Sequence, residues 1–221
     1  MVVSLAATVG NSQANGRSQD VKGSSCHHVP VPTDASRHRP GVTAVEIVGG
    51  PEPLTVGLVA HDDGWAAVFR AHRRRILEAL LASGAPAPVV EHIGSTAVPG
   101  LAAKPIVDIA VGVADVTDEG TYLDPLLAAG YELRVREPGH RLVRTPERDV
   151  HVHVYGRGAP EIDAYLLLRD HLRVDAADRA LYEATKRRLM ARRWDDMNAY
   201  SDAKTAVIAA IAERARLRRD G

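Results

Sequence analysis

One stretch of the chain constrains the fold more than any other. Residues 106–113 read Ile-Val-Asp-Ile-Ala-Val-Gly-Val, which is apolar on both alternating faces except at Asp108. Such a run is typical of a central strand that is covered on both sides of a sheet. A buried carboxylate is costly unless a cation, a metal or several donors accompany it. Asp108 is therefore either a functional carboxylate or a structural one that is satisfied by Lys104, an arginine or backbone amides.

Other β segments are predicted on both sides of this strand. Residues 89–93 form a short strand, and residues 43–48 alternate in the manner of an edge strand. Residues 131–136, 141–144 and 149–155 follow one another with only short turns between them. Turns that short imply antiparallel neighbours. We expect a mixed sheet of about five strands, or six if the edge strand joins it.

Helical spacing of apolar residues predicts the remaining elements. A first helix begins after Gly64 and carries an apolar face from Trp65 to Leu81. Further helices are predicted at residues 121–129, 160–173, 177–193 and 196–216. Together these elements indicate an α+β domain with helices packed on the sheet and a helical C-terminal section.

Composition predicts the domain organisation and limits the partners. Residues 1–42 are rich in Ser, Gly, Asn, Gln, Pro and His and precede a domain at residues 43–217. They are predicted to be a disordered extension, or upstream sequence included by a misplaced start codon. The 28 basic and 28 acidic side chains balance, which argues against a nucleic-acid partner. No apolar run approaches the ~20 residues of a membrane span. One cysteine, Cys26, fits a reducing, cytoplasmic setting. The oligomeric state is not indicated.

A phosphate-binding turn is predicted where the strand at residues 89–93 ends. Gly94 permits close backbone approach, and Ser95 and Thr96 add hydroxyl groups. Successive backbone N–H groups at such a turn can bind an anion, and Lys104 follows within reach of a phosphate. Many strands end in a Gly-Ser turn without binding anything, and that alternative stays open.

A second candidate group of residues lies on the strand at residues 149–155. His151 and His153 are two apart, so both imidazoles face the same side, where they can bind a metal or move a proton. A pair of partly exposed histidines without a function is the alternative. Arg141 and Arg144 on the preceding strand are candidates to neutralise an anion near this face. His92 shares a face with Gly94 and is the remaining candidate.

The run at residues 91–109, Glu-His-Ile-Gly-Ser-Thr-Ala-Val-Pro-Gly-Leu-Ala-Ala-Lys-Pro-Ile-Val-Asp-Ile, resembles the signature of the GrpB-like proteins. These form an uncharacterised group of the nucleotidyltransferase superfamily and also occur fused to dephospho-coenzyme A kinases. The resemblance extends over about residues 45–211. It includes the His-Val-His-Val-Tyr run at residues 151–155, Tyr182 with Lys186, and Tyr200 with Lys204.

The resemblance implies a polymerase-β-like nucleotidyltransferase fold. Gly94 and Ser95 then match the turn that contacts a triphosphate, and Asp108 matches the first of two metal-binding acids. Ala110 occupies the second acidic position, and His151 and His153 stand where a third acid is often found. Lys186 and Lys204 join the candidate cofactor-binding residues on the same basis.

The donor set is poor for a pair of Mg²⁺ ions and fits either a single divalent metal or none. Two-metal transfer needs several clustered oxygen ligands, whereas Asp108, His151 and His153 offer one carboxylate and two imidazoles. We expect Mn²⁺ or Mg²⁺, with Zn²⁺ less favoured, together with ATP or another nucleoside triphosphate.

Three functions remain compatible with the sequence. The first is an enzyme that acts on a nucleotide or another phosphorylated small molecule, by nucleotidyl transfer or an ATP-dependent condensation. Asp108, His151, His153 and His92 are its candidate catalytic residues. The second is a non-catalytic binding or regulatory module that keeps the fold. The third is RNA binding through arginine-rich helices, against which the neutral net charge argues.

Overall fold

The strands form one mixed sheet in the computed structural model, which describes residues 42, 44–50, 52, 56–84, 87–192 and 203–220. The sheet has six strands in the order β1-β4-β5-β6-β3-β2. Their bounds are β1 Glu46–Ile47, β2 Val89–Ile93, β3 Val107–Val113, β4 Glu132–Glu137, β5 His140–Arg144 and β6 Val150–Gly156. Neighbours pair antiparallel except β3 and β6, which run parallel. The edge strand therefore joins the sheet, although it is shorter than expected.

Five helices accompany the sheet in the described part of the chain: α1 Gly64–Ala82, α2 Glu119–Ala128, α3 Pro160–Val174, α4 Ala176–Met190 and α5 Thr205–Asp220. Their bounds agree with the predicted ones to within a few residues. The predicted start of the last helix at residue 196 and nearly all of the predicted extension at residues 1–42 lie outside the described residues. No described helix is both long and apolar enough to cross a bilayer. The predicted α+β fold class with a helical C-terminal section is confirmed.

One face of the sheet is covered by α1 and α2. Valine and isoleucine side chains of the central strands point into this side, because alternate residues of a strand face opposite ways. Ile76 and Leu80 of α1 pack against them. The sheet contributes Val107, Ile109, Val111, Val152 and Val154, all buried. These residues form the main hydrophobic core.

The opposite face is covered by α3 and supports the candidate site. Ala110 and Tyr155 of the central strands pack against Ile162 and Tyr165 of α3. A separate apolar cluster joins the segment after β2 to the C-terminal helices through Val98, Leu101, Leu172, Tyr182, Ile208 and Ile211. The helical C-terminal section thus fixes the Gly-Ser turn and the segment that leads from it to β3.

Candidate functional site

The Gly94 turn brings the chain directly against Asp108. β2 ends at Ile93, and residues Ser95–Ala97 form a short 3₁₀ helix. Gly94 has φ 73°, in the left-handed region that favours glycine. A Cβ atom there would lie 2.5 Å from Oδ2 of Asp108. Both backbone conformation and space therefore require glycine at this position.

Two of the predicted site residues, His92 and Thr96, instead stabilise the turn from the α1 side. The Thr96 hydroxyl lies 3.3 Å from the carbonyl of Ile106, to which it donates, and 3.1 Å from Nε2 of His92. His92 stacks on Phe69 of α1 with ring centroids 4.8 Å apart. Burial lowers the pKa of His92 to about 4. The two side chains hold β2, the turn and the approach to β3 together.

The strand register explains why His92 is directed away from the site. His92 pairs with Ile109 in β3, so it shares the α1 face of the sheet. Glu91 pairs with Ala110 and therefore lies on the face of Asp108, where its Oε2 accepts a hydrogen bond of 2.9 Å from Arg169. The inference that His92 shares a face with the site is thus corrected: alternation ends at Gly94, whose φ is positive.

Asp108, His151 and His153 are brought together as the sequence indicates. The parallel β3–β6 register places Asp108 beside His151 and Ala110 beside His153. Oδ1 of Asp108 lies 3.8 Å from Nδ1 of His151 and 3.4 Å from Nε2 of His153. One ligand atom from each of the three residues falls within 4.8 Å of the others. Ala110 is buried and offers no second carboxylate.

Burial dominates the electrostatics of these three side chains. It raises the pKa of Asp108, an effect that His151 and Lys204 partly oppose. It lowers the pKa of His151 to about 4 and that of His153 well below the ordinary value. Both imidazoles are therefore neutral at physiological pH, which is the form that binds a metal. The group fits a single divalent ion held by one carboxylate oxygen and two imidazole nitrogens.

Three lysines gather on the side of the turn that faces the C-terminal helices. Lys186 of α4 donates to Oγ of Ser95 over 3.0 Å and to the carbonyl of Ala102. Burial, and next the charge of Lys204, lower the pKa of Lys104 and of Lys186 to about 7 each. Burial also lowers the pKa of Lys204, while Asp108 opposes that shift. We call Lys104, Lys186 and Lys204 the lysine cluster.

The two candidate arginines lie on opposite faces of β5. Arg144 pairs with His151 in the register and holds Glu52 with two hydrogen bonds of 2.8 and 2.9 Å. Arg141 points to the α2 side, where its Nε donates to Glu119 over 2.7 Å. The expectation that both neutralise an anion near His151 is therefore wrong for Arg141, because residues three apart on a strand face opposite ways.

Two residues that the sequence reasoning missed complete the site. His140 at the start of β5 lies with its Nε2 3.1 Å from Nδ1 of His153. Its Nδ1 lies 2.5 Å from Oε1 of Glu137. A signal was present: the tight turn at residues 138–139 places His140 opposite Tyr155, one pleat from His153. The predicted strand begins one residue later, at Arg141, so alternation along it does not assign His140 to either face of the sheet.

Comparisons with known proteins agree with this architecture. A UPF0157 protein from Streptomyces coelicolor is 67% identical over 181 residues, which cover 82% of this chain and 95% of that protein. The crystal structure of a conserved protein GrpB from Enterococcus faecalis superimposes with a TM-score of 0.64 at 29% identity. That match covers 75% of this chain and all of the other.

A longer relative carries a similar segment. A protein described as dephospho-CoA kinase from Mycolicibacterium paratuberculosis is 33% identical over 175 residues, which cover 66% of this chain and 42% of that protein. The family model described as GrpB protein matches residues 55–214. The expected α+β fold class is confirmed, and the chain belongs to the GrpB family.

Proposed function

We propose that this protein binds the phosphate groups of a nucleotide, or of another phosphorylated small molecule, between the Ser95 turn and the lysine cluster. The observation that carries the proposal is the hydrogen bond from Lys186 to Ser95, which joins a cation of α4 to the turn. The bond links the Gly94–Ser95 turn to the helix that carries Lys186, two parts of the chain for which the sequence separately predicts phosphate or cofactor binding. A nucleotide with two or three phosphates is the preferred ligand.

Charge supports a polyanionic ligand. Each lysine of the cluster is held at a pKa below its ordinary value, first by burial and then, for Lys104 and Lys186, by the charge of Lys204. The negative charges of Asp108 and Glu183 raise the pKa values of these lysines, but by less than burial lowers them. A phosphate chain carries several negative charges and would restore the charged form of all three lysines. Binding would therefore draw on the electrostatic free energy stored in the free protein.

A single divalent metal beside the phosphates is part of the proposal. Asp108, His151 and His153 would hold it, and Mn²⁺ fits the mixed carboxylate and imidazole donors better than Mg²⁺ does. Such an ion supplies a Lewis acid that polarises a phosphate oxygen. The residues of the chain would hold the ligand, and their packing keeps the imidazoles neutral.

The reaction class that fits best is transfer to or from a phosphorylated substrate, either nucleotidyl transfer or an ATP-dependent condensation, in a cytoplasmic protein. A specific observation favours a second candidate, a non-catalytic binding module. Ala110 is fully buried beside His153, so paired Mg²⁺ ions find no second carboxylate there. Ligand binding that survives Asp108→Ala, His151→Ala and His153→Ala would favour the module over the enzyme.

Isothermal titration of the full chain with ATP, CTP, GTP and inorganic triphosphate, with and without Mn²⁺, tests phosphate binding. We expect at least one of these to bind, and Lys186→Met to weaken binding by about tenfold or more because a charge-assisted hydrogen bond is lost. Arg188→Met is the matched control, since Arg188 lies on the exposed side of the same helix. Absence of binding under every condition, or equal losses in both variants, would contradict the proposal.

A further inference from the structure

A continuous line of side chains runs from the end of β4 to Asp108. Oε1 of Glu137 lies 2.5 Å from Nδ1 of His140, and Nε2 of His140 lies 3.1 Å from Nδ1 of His153. Nε2 of His153 then lies 3.4 Å from Oδ1 of Asp108. Four adjacent strands contribute to the line, since Glu137 ends β4, His140 begins β5, His153 lies in β6 and Asp108 lies in β3.

The surroundings hold these side chains in one arrangement. The His153 side chain is fully buried, and that of His140 is 6% exposed, whereas that of Glu137 is 22% exposed. The His140 ring stacks on Tyr155 with centroids 4.5 Å apart and lies nearly parallel to the ring of His153. Neither imidazole can therefore turn to another partner without breaking a stacked contact.

Hydrogen-bond direction can be followed along this line from its outer end. An ionised Glu137 only accepts, so Nδ1 of His140 carries the proton between them. In a neutral His140 the other nitrogen, Nε2, is then an acceptor, and Nδ1 of His153 must donate to it. This leaves Nε2 of His153 without a proton and with its lone pair directed at Asp108.

We propose that Glu137 and His140 are positioning residues that hold His153 in its Nδ1–H tautomer, so that its Nε2 lone pair faces Asp108. A lone pair and a carboxylate oxygen 3.4 Å apart repel each other unless a proton or a cation lies between them. The arrangement prepares His153 as a metal ligand, and only this consequence rests on the proposed metal site. Outer partners of this kind orient metal-binding histidines and are worth about 10–100-fold in metal affinity.

The tautomer itself can be observed without any metal. A long-range ¹H–¹⁵N correlation spectrum of the full, metal-free chain at about pH 8, above the ordinary imidazole pKa, distinguishes protonated from unprotonated ring nitrogens. The His153 signals are identified by their loss in His153→Gln. We expect protonated Nδ1 and unprotonated Nε2 for His153. A proton on Nε2 of His153, or an imidazolium at His140, would overturn the proposal.

Variants of His140 separate positioning from packing. His140→Phe keeps a stacked ring but removes both nitrogens, so we expect His153 to shift toward its Nε2–H tautomer. His140→Gln retains an acceptor for His153 Nδ1, and we expect it to preserve more of the original tautomer. Retention of the Nδ1–H tautomer in His140→Phe would contradict the role of His140.

Glu137 is tested by a second pair of variants. Glu137→Gln keeps an acceptor for Nδ1 of His140, whereas Glu137→Leu removes it. We expect His140 and His153 to lose their preference for the Nδ1–H tautomer in Glu137→Leu and to keep it in Glu137→Gln. Equal spectra for the two variants would remove Glu137 from the proposal.

Mn²⁺ titration then connects the tautomer with the proposed metal site. We expect His140→Phe to weaken Mn²⁺ binding about 10–100-fold and His140→Gln to weaken it less. If the wild-type chain shows the Nδ1–H tautomer but binds no Mn²⁺, the metal site fails and the positioning role stands. If the wild-type chain binds Mn²⁺ while His153 carries its proton on Nε2 in the free protein, the positioning role fails and the metal site stands.

Discussion

A buried carboxylate and a partly exposed one, on opposite faces of the same sheet, differ in how they are compensated. Glu119, in the first turn of α2, accepts hydrogen bonds from Nε of Arg136 over 2.9 Å and from Nε of Arg141 over 2.7 Å. Although burial alone would raise its pKa, these two arginines hold the pKa of Glu119 below its ordinary value. Asp108 faces histidines and a lysine instead, and burial keeps its pKa raised.

The difference separates a structural charge from one suited to binding. Glu119 has its counter-charges permanently in place, so its ionised form is already satisfied. Asp108 has neutral imidazoles beside it, and its compensation is incomplete in the free protein. A partly buried charge with incomplete compensation costs stability and is retained where function needs it. We therefore expect Glu119 to matter for folding and Asp108 to matter for ligands.

The largest expected effect is on stability at Glu119. Glu119→Gln leaves Arg136 and Arg141 buried without their carboxylate, which typically costs about 3–5 kcal/mol when one partner of a buried pair is removed. Urea unfolding measured at neutral pH gives the change. We expect Asp108→Asn to change the free energy of unfolding by less than ~1 kcal/mol, toward greater stability, because an amide needs no counter-charge.

Glu46 provides the matched control for Glu119, because it pairs with the same arginine at 3.2 Å but is 51% exposed. Glu46→Gln should cost no more than about 0.5 kcal/mol, as exposed ion pairs usually do. If Asp108→Asn destabilised the protein as much as Glu119→Gln, the distinction between the two carboxylates would be wrong.

A smaller effect is expected where the turn approaches Asp108. Gly94→Ala combines left-handed backbone strain with a Cβ atom 2.5 Å from the carboxylate, so we expect a loss of about 2–4 kcal/mol. Gly100→Ala is the control, since Gly100 has φ 75° but no atom within 4 Å of its added Cβ. It should cost only about 1 kcal/mol. Thermal unfolding of both variants measures the difference, and equal losses would show that contact with Asp108 adds nothing.

The smallest expected effect is the pH dependence of the free protein. Lys104 and Lys186 have pKa values of about 7 when folded, below the ordinary value of 10.5. Between these values the unfolded chain binds more protons, so the free energy of unfolding rises with pH. We expect a gain on the order of 1 kcal/mol between about pH 7 and about pH 9, since partial solvent exposure of Lys104 reduces the effect.

Lys186→Met should reduce this slope, and bound triphosphate, which favours charged lysines, should weaken in affinity over the same pH range. Urea unfolding at several pH values and titration calorimetry measure the two trends. A free energy of unfolding that stays constant or falls between these pH values would show that the pKa values of the lysine cluster are not lowered in the folded protein.

Local pattern predicts much of this architecture. The alternation of β6 assigns Val152 and Val154 to the core and His151 and His153 to the opposite face, beside Asp108, as the structure shows. The apolar run around Asp108 correctly indicates a central strand, because covered strands lack a polar face. Strand bounds agree within one residue except in the edge strand β1, which is shorter than predicted, since Gly and Pro mark most of the turns.

The remaining features depend on register and on contacts between distant segments. The parallel pairing of β3 with β6 has no local signal, so the meeting of Asp108 with His153 follows only from the whole sheet. Only the family resemblance identifies Lys186 and Lys204 as candidate cofactor-binding residues, because a lysine on an amphipathic helix usually faces solvent. Strand alternation alone predicts the face on which Arg141 lies. The break in alternation at Gly94, which places His92 on the other face from the site, follows only from the observed φ angle of Gly94.

The parallel β3–β6 pairing has a consequence for how the protein folds. β4, β5 and β6 are joined by antiparallel pairing, as are β2 and β3, so within the described sheet β3–β6 is the seam between two locally closed units. Contacts between residues far apart in sequence form late, because their loop-closure entropy is larger. Asp108 and His153, 45 residues apart, lie across that seam. A bound metal would link the two units across this seam. We would then expect slower hydrogen exchange of the β3 backbone amides.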